Sequence, residues 1–227
     1  MKYSLPILAL ALGLTACASD DRAPTFRGGA GGDAAYGRGL QALESGNVAQ
    51  ANEYFSCAAQ FGGGFEVAWY YAGSTSLQLA AIDGPNAAEH QENGEYYLIT
   101  SGHAGWGASQ AALAEHYHIL GNTEEAVYWA MLYTNNVREI SLGLVRMDPD
   151  LIAAIRDNVS DEVFATTQAR ALRYVPEPIP VGRPSEDCNA AIQGDRERPT
   201  NPNANRPIRP QRTEAPGSRR RDPTQPY

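Results

Sequence analysis

Four histidines, three cysteines and scattered carboxylates are the side chains of this sequence that could do chemistry. The most suggestive spacing is "EHYH", which sets His116 and His118 two residues apart. A His-x-His pair holds a metal when it lies on a strand, where alternate side chains share a face. The surrounding "ALAEHYHIL" reads as helix, and side chains two apart on a helix diverge by about 200°. The spacing therefore predicts no metal site, and no cofactor is expected. No G-x-S-x-G elbow, Walker loop or Rossmann fingerprint occurs. The serines have no evident base beside them. Asp148 with Asp150, and Asp161 with Glu162, stand where helices should begin and suit the helix dipole there. Glycoside hydrolysis would need two carboxylates at a set separation across a cleft, and nothing marks such a pair. No catalytic residue is assigned, and the chain reads as a binding protein rather than an enzyme.

Stepping from these residues to the segments that carry them, the first cysteine lies in "LGLTACASDD". Lys2 precedes an apolar run from Ser4 to Leu14, interrupted only by Pro6 and Gly13. A membrane span needs about 20 apolar residues, so this run has the length of a signal-peptide core instead. It closes on Leu14-Thr15-Ala16-Cys17, which resembles the lipobox of bacterial lipoproteins. The resemblance implies that Cys17 is diacylated, becomes the N-terminus and is acylated again. Two or three acyl chains exceed the single chain that gives only marginal anchoring. In such lipoproteins an Asp directly after the Cys favours the inner membrane. Ala18 and Ser19 stand there instead, which implies the periplasmic face of the outer membrane. The alternative is a plain secreted protein cut near Ala16 or Ala18.

An exported chain meets an oxidising compartment, where the two remaining cysteines, Cys57 and Cys188, can pair. The loop they would close is long, with a chain-entropy contribution of roughly 4–5 kcal/mol. The alternative is a half-buried Cys57 and a free thiol at Cys188.

Charge divides the chain. Residues 1–175 carry ten more acidic than basic side chains, whereas residues 176–227 carry two more basic than acidic ones. An acidic body argues against nucleic acid as a partner, because the phosphate backbone demands a cationic face. Composition then sets four regions: a signal peptide and lipobox at 1–17, a Gly-rich linker at 18–32, a periodic apolar body at 33–175, and a Pro/Arg-rich tail at 176–227. The tail opens with "PEPIPVGRP" and holds few large apolar residues, so it is expected to be extended or disordered.

The body repeats itself. Gly39, Gly46, Asn47 and Ala51 recur as Ala114, Gly121, Asn122 and Ala126, each 75 residues later. A third unit fits between them, with Gly73 placed 34 residues after Gly39. A small residue in the first helix lets the second approach closely, and a Gly-Asn pair ends one helix and caps the next. In the middle unit "IDGPNAAEHQEN" reads as a long interhelical loop leading to a second helix, "GEYYLITSG". Asp148-Pro149 and Ser160 start two further helices, which should cap the end. In the last of these, Val163, Thr167, Ala171 and Leu172 fall on one face.

The spacing of Ala114, Tyr117, Gly121 and Ala126 resembles the tetratricopeptide repeat and its Sel-like relatives. The expected fold is all-α: a short solenoid of antiparallel helix pairs with C-terminal capping helices. In that family the first helix of each pair lines a concave groove. The resemblance then assigns the groove residues Tyr36 and Glu44 from the first unit, Tyr70 and Gln78 from the second, and Glu115 and His118 from the third. Interhelical packing is the competing role for each aromatic, and Trp69, Trp129 and Tyr117 are expected in the core. Aromatics and acids on one face suit basic protein partners. The expected function is a lipid-anchored scaffold or adaptor for envelope proteins. The runner-up is a binder of cell-wall or anionic glycolipid polymers through the Arg-rich tail.

Overall fold

A computed structural model describes residues 30–193 of the chain. The signal segment, Cys17, nearly all of the linker and the tail after Gln193 lie outside the described residues. Among the described residues there are ten α-helices and no strand. They begin as three antiparallel pairs: α1 (Ala30–Glu44) with α2 (Val48–Ala59), α3 (Glu66–Ile82) with α4 (Ala87–His103), and α5 (Gly107–Ile119) with α6 (Thr123–Thr134). Each helix packs on its predecessor and its successor, which makes a short α-solenoid. No described helix is long and apolar enough to cross a membrane.

The repeated residues explain the pairing. Gly46 and Gly121 have φ of 77° and 73°, the left-handed region in which glycine meets no Cβ penalty. Asn47 and Asn122 follow them, and their side-chain oxygens accept hydrogen bonds from the Gln50 and Glu125 backbone N–H groups at 3.1 and 3.3 Å. One helix is thus stopped and the next capped within three residues. The small positions sit at the crossings. A Cβ on Gly39 would lie 2.6 Å from Phe55 Cε1, and one on Gly73 would lie 2.6 Å from Leu98 Cγ. Ala114, their counterpart in the third pair, is fully buried.

Burial runs continuously along the stack. Phe55, Trp69 and Tyr97 join the first and second pairs, while Leu98, Leu113 and Trp129 join the second and third. Tyr97 is pushed up to about 12 by that burial. One buried polar side chain bridges α2 to α3. Asn52 Nδ2 has Ala72 O, Thr75 Oγ1 and Ser76 Oγ at 2.8–2.9 Å, and its two N–H groups are shared among these three acceptors.

The middle pair differs from expectation. Only Asp83–Asn86 is non-α, with a 3-10 turn at Gly84–Asn86, and α4 starts at Ala87. The segment read as a long loop is helical from there on. Ala87, Ala88 and Glu89 are strong helix formers directly after the Pro85 turn, and His90 and Asn93 are buried on the packed face.

Beyond the third pair come α7 (Val137–Leu142), α8 (Pro149–Asp157) and α9 (Asp161–Ala171), with α8 and α9 packed on α6. Asp148 and Ser160 cap α8 and α9 as their sequence predicts, accepting from Asp150 N and Val163 N. Thr167 faces inward as expected, but Leu172 lies just past the helix end and is exposed. Glu139 is buried and holds Arg146 Nε at 2.6 Å, which ties α7 to the loop after it.

The boundary at residue 176 is corrected by the structure. Residues 176–185 are extended, as their prolines require, yet they lie along the body as a strap. Tyr174 donates its hydroxyl to Gly102 O and His103 O. The Glu177 N–H donates to His103 O and the Gly182 N–H to Phe61 O, while Ile179 is buried against the first pairs. The strap ends in α10 (Glu186–Gln193), which packs on α1 and α2. There Cys188 is joined to Cys57, with Cα atoms 5.3 Å apart and both residues fully buried. The first linker boundary also moves: α1 begins at Ala30 rather than after residue 32.

Candidate binding surfaces

The groove residues assigned from the repeat pattern sit on the first helix of each pair, with unequal access. Tyr36 on α1 is half-buried, its ring centroid 5.7 Å from Phe55 and 5.8 Å from Tyr71. Tyr71 stacks on Phe55 at 4.8 Å and meets Tyr70 edge-on at 5.2 Å. Tyr36 and Tyr70 are therefore the ends of one row of rings that crosses from α1 to α3. This gives Tyr36 the packing role that competes with ligand contact. Glu44 is exposed at the last turn of α1. Gln78 on α3 and Glu115 and His118 on α5 are half-buried, and α3 touches α5 directly. The structure thus brings Tyr70, Gln78, Glu115 and His118 onto two adjoining helices, while Glu44 stands apart at a helix end.

The two close histidines diverge as their helical spacing predicts. His116 Nε2 lies 3.0 Å from Glu95 Oε1 on α4, which leaves His118 to the other side of α5. Among the described residues no group of three His, Cys, Asp or Glu side chains is placed to hold a metal ion.

A second constellation escapes sequence reasoning. The Arg170 guanidinium of α9 lies 3.6 Å over the Tyr128 ring and grips both carboxylate oxygens of Glu125 on α6. A planar guanidinium suits this combination of fork and face. The Glu125 hydrogen bond raises the Arg170 pKa further. Nearby, Tyr117 is pushed up to about 12 by burial, reinforced by Glu95 and Glu125. Tyr174 is also pushed up to about 12 by burial. The His103 ring sits 4.8 Å from Trp129 and 6.3 Å from Tyr174. Burial lowers its pKa, against the pull of Glu177. The arrangement is a latch: neutral rings and one saturated ion pair that fasten α9 and the strap to the stack. Its hydrogen-bonded partners lie 45 to 72 residues apart in sequence, so no local spacing could have announced it.

What the first-helix face can do chemically is offer flat aromatic area, amide and imidazole hydrogen-bonding groups, and carboxylates, on elements held rigid by the stack. A scan of protein-family models, a search of curated proteins and a search of solved structures each give no match to this chain.

Proposed function

We propose that the chain is an outer-membrane lipoprotein whose helical-repeat body, akin to tetratricopeptide and Sel-like repeats, serves as a periplasmic scaffold or adaptor for envelope proteins. The observation that supports this reading is that α3 and α5 adjoin and that Tyr70 and Gln78 on one, and Glu115 and His118 on the other, are each partly accessible. Rigid aromatic anchors give contact area at low entropy cost. The neighbouring carboxylates favour a partner with basic side chains and quicken encounter with it. The Leu14–Cys17 motif supports the tether: lipid at Cys17 would confine the body to a thin layer above the bilayer, where effective concentration replaces affinity.

The test is photo-crosslinking in intact cells with a reactive analogue at position 70 or 118, with position 166 on the exposed side of α9 as control. Discrete adducts at 70 and 118 and none at 166 are expected. The double variant Tyr70→Ala with His118→Ala should weaken a captured partner by about tenfold or more. Equal labelling at all three positions would refute a dedicated face. An alternative reading is favoured by one observation: residues 194–227 carry eight Arg against four acidic side chains. On that reading the tail binds anionic envelope polymer, and retention on isolated cell wall would vanish at high salt.

A further inference from the structure

The strap crosses one edge of the solenoid, and both ends of the described chain leave from it. The first helix of each pair, α1, α3 and α5, starts at this edge. A Cβ on Gly31, one residue into α1, would touch Phe61 Cζ at 3.0 Å and Ile192 Cδ1 of α10 at 3.7 Å. The start of α1 and the end of α10 therefore lie side by side. Between them Tyr174, just before the strap, and Ile179 within it turn inward, while Val175 and Val181 are 74% and 86% exposed. Val137, 77% exposed, opens α7 beside the same edge, where Asn136 donates to Gly105 O and Arg138 lies over Trp106 at 4.4 Å. Arg173 and Arg183 are exposed along this edge beside exposed Glu177, Glu186 and Asp187, so basic excess at the edge comes from the tail alone.

We propose that this edge rests on the phospholipid surface, with Val175, Val181 and Val137 entering the headgroup–acyl boundary. The inference rests on the reading that Cys17 carries lipid. Thirteen peptide units separate Cys17 from Ala30, and fully extended they reach at most about 45 Å. Such a tether confines the body without dictating its orientation, so the orientation is set by whichever face gains most at the interface. The opposite edge also exposes apolar side chains, Ile82, Ile119 and Leu120. Neither end of the described residues lies there, and Glu44 and Glu124 flank it. Both ends of the described residues lie at the strap edge, and the sequence that follows, residues 194–227, carries an excess of four basic side chains. Clustered Arg near a bilayer is drawn to anionic headgroups, and exposed apolar side chains beside them add burial. Charge and apolar contact therefore act on the same edge. The Cys57–Cys188 link makes this possible, because it pins the strap at the first helix pair and keeps the tail's root beside the tether.

The test uses the full chain in its natural processed form, reconstituted into vesicles of phosphatidylethanolamine and phosphatidylglycerol with brominated acyl chains. Val181→Trp reports the strap edge and Ile82→Trp the opposite edge, each read after subtracting the emission of the unsubstituted chain. Both positions are highly exposed, so neither change disturbs packing. The expected result is loss of about half the added emission at position 181 and little at position 82. Equal quenching at the two positions, or stronger quenching at 82, overturns the proposal. So does shielding of position 181 that appears only when other envelope proteins are added. The mass of the N-terminal peptide separates the two readings. Acyl groups on Cys17 with an unquenched Val181→Trp remove the edge alone, whereas an unmodified Cys17 removes both.

Discussion

Gly37 and Gly73 both lie inside helices, and the same substitution at each should have opposite effects. A Cβ at Gly37 on α1 meets nothing within 4 Å. Gly37→Ala then gains only helix propensity and a less flexible unfolded chain, worth about 0.5–1 kcal/mol of stability. A Cβ at Gly73 on α3 would stand 2.6 Å from Leu98 Cγ and 3.0 Å from Gly94 O. Leu98 is fully buried, and Gly94 O is backbone, so neither can swing aside and α3 must separate from α4. The contact is reciprocal, since a Cβ on Gly94 would lie 2.6 Å from Leu77 Cδ2. Overpacking of this kind costs about 1–3 kcal/mol, and the propensity gain offsets up to about 1 kcal/mol of it. The two variants should differ by about 1–3 kcal/mol. With a urea m-value of about 2 kcal/mol/M, their unfolding midpoints should be separated by about 0.5–1.5 M. The measurement is urea unfolding followed by circular dichroism with the disulfide intact. A Gly73→Ala midpoint at or above that of Gly37→Ala, at equal m, would refute the close crossing that defines the repeat.

Asn52→Ala strips a buried donor from Ala72 O, Thr75 Oγ1 and Ser76 Oγ. It should destabilise by about 1–3 kcal/mol, read as a lower urea midpoint, and no shift would mean that water replaces the amide freely. Cys188→Ser opens a loop spanning 131 residues, for which chain entropy gives about 5 kcal/mol. Hydrogen exchange should show the Glu177 and Gly182 amides losing more protection than those of α3 to α6, and equal loss along the chain would contradict a peripheral strap. His103 should make the fold acid-sensitive. Burial lowers its folded pKa, against Glu177 and Glu125 and with Arg170, so the fold prefers the neutral ring. That contribution is complete above the unfolded histidine value of about 6.5 and is lost as pH falls through the lower folded value. His103→Asn should therefore lose less stability than the parent chain between about pH 7 and about pH 5, and parallel pH profiles would contradict the assignment.

The amino-acid sequence by itself determined the unit of this architecture, because its signals are local. Gly46-Asn47 and Gly121-Asn122 stop and cap helices within a few residues. Gly39, Gly73 and Ala114 mark the crossings by side-chain size alone, and Asp148-Pro149 and Ser160 open the last helices. Local signals misled where a loop-like composition concealed a helix: "NAAEHQEN" is polar, and only packing against α3 shows that His90 and Asn93 face inward. Tertiary structure alone decided everything that depends on partners distant in the chain. It turned the start of a Pro-rich tail into a strap through Ile179, Tyr174 and the Cys57–Cys188 link, and fastened α9 through Arg170 to Glu125. It also joined Tyr36 and Tyr70 as the two ends of one row of rings, and left Gln78, Glu115 and His118 half-buried and Glu44 exposed. The physical reason is the range of each effect: turn geometry and capping act over a few residues, whereas burial and ion pairing join residues that only the folded stack brings within reach.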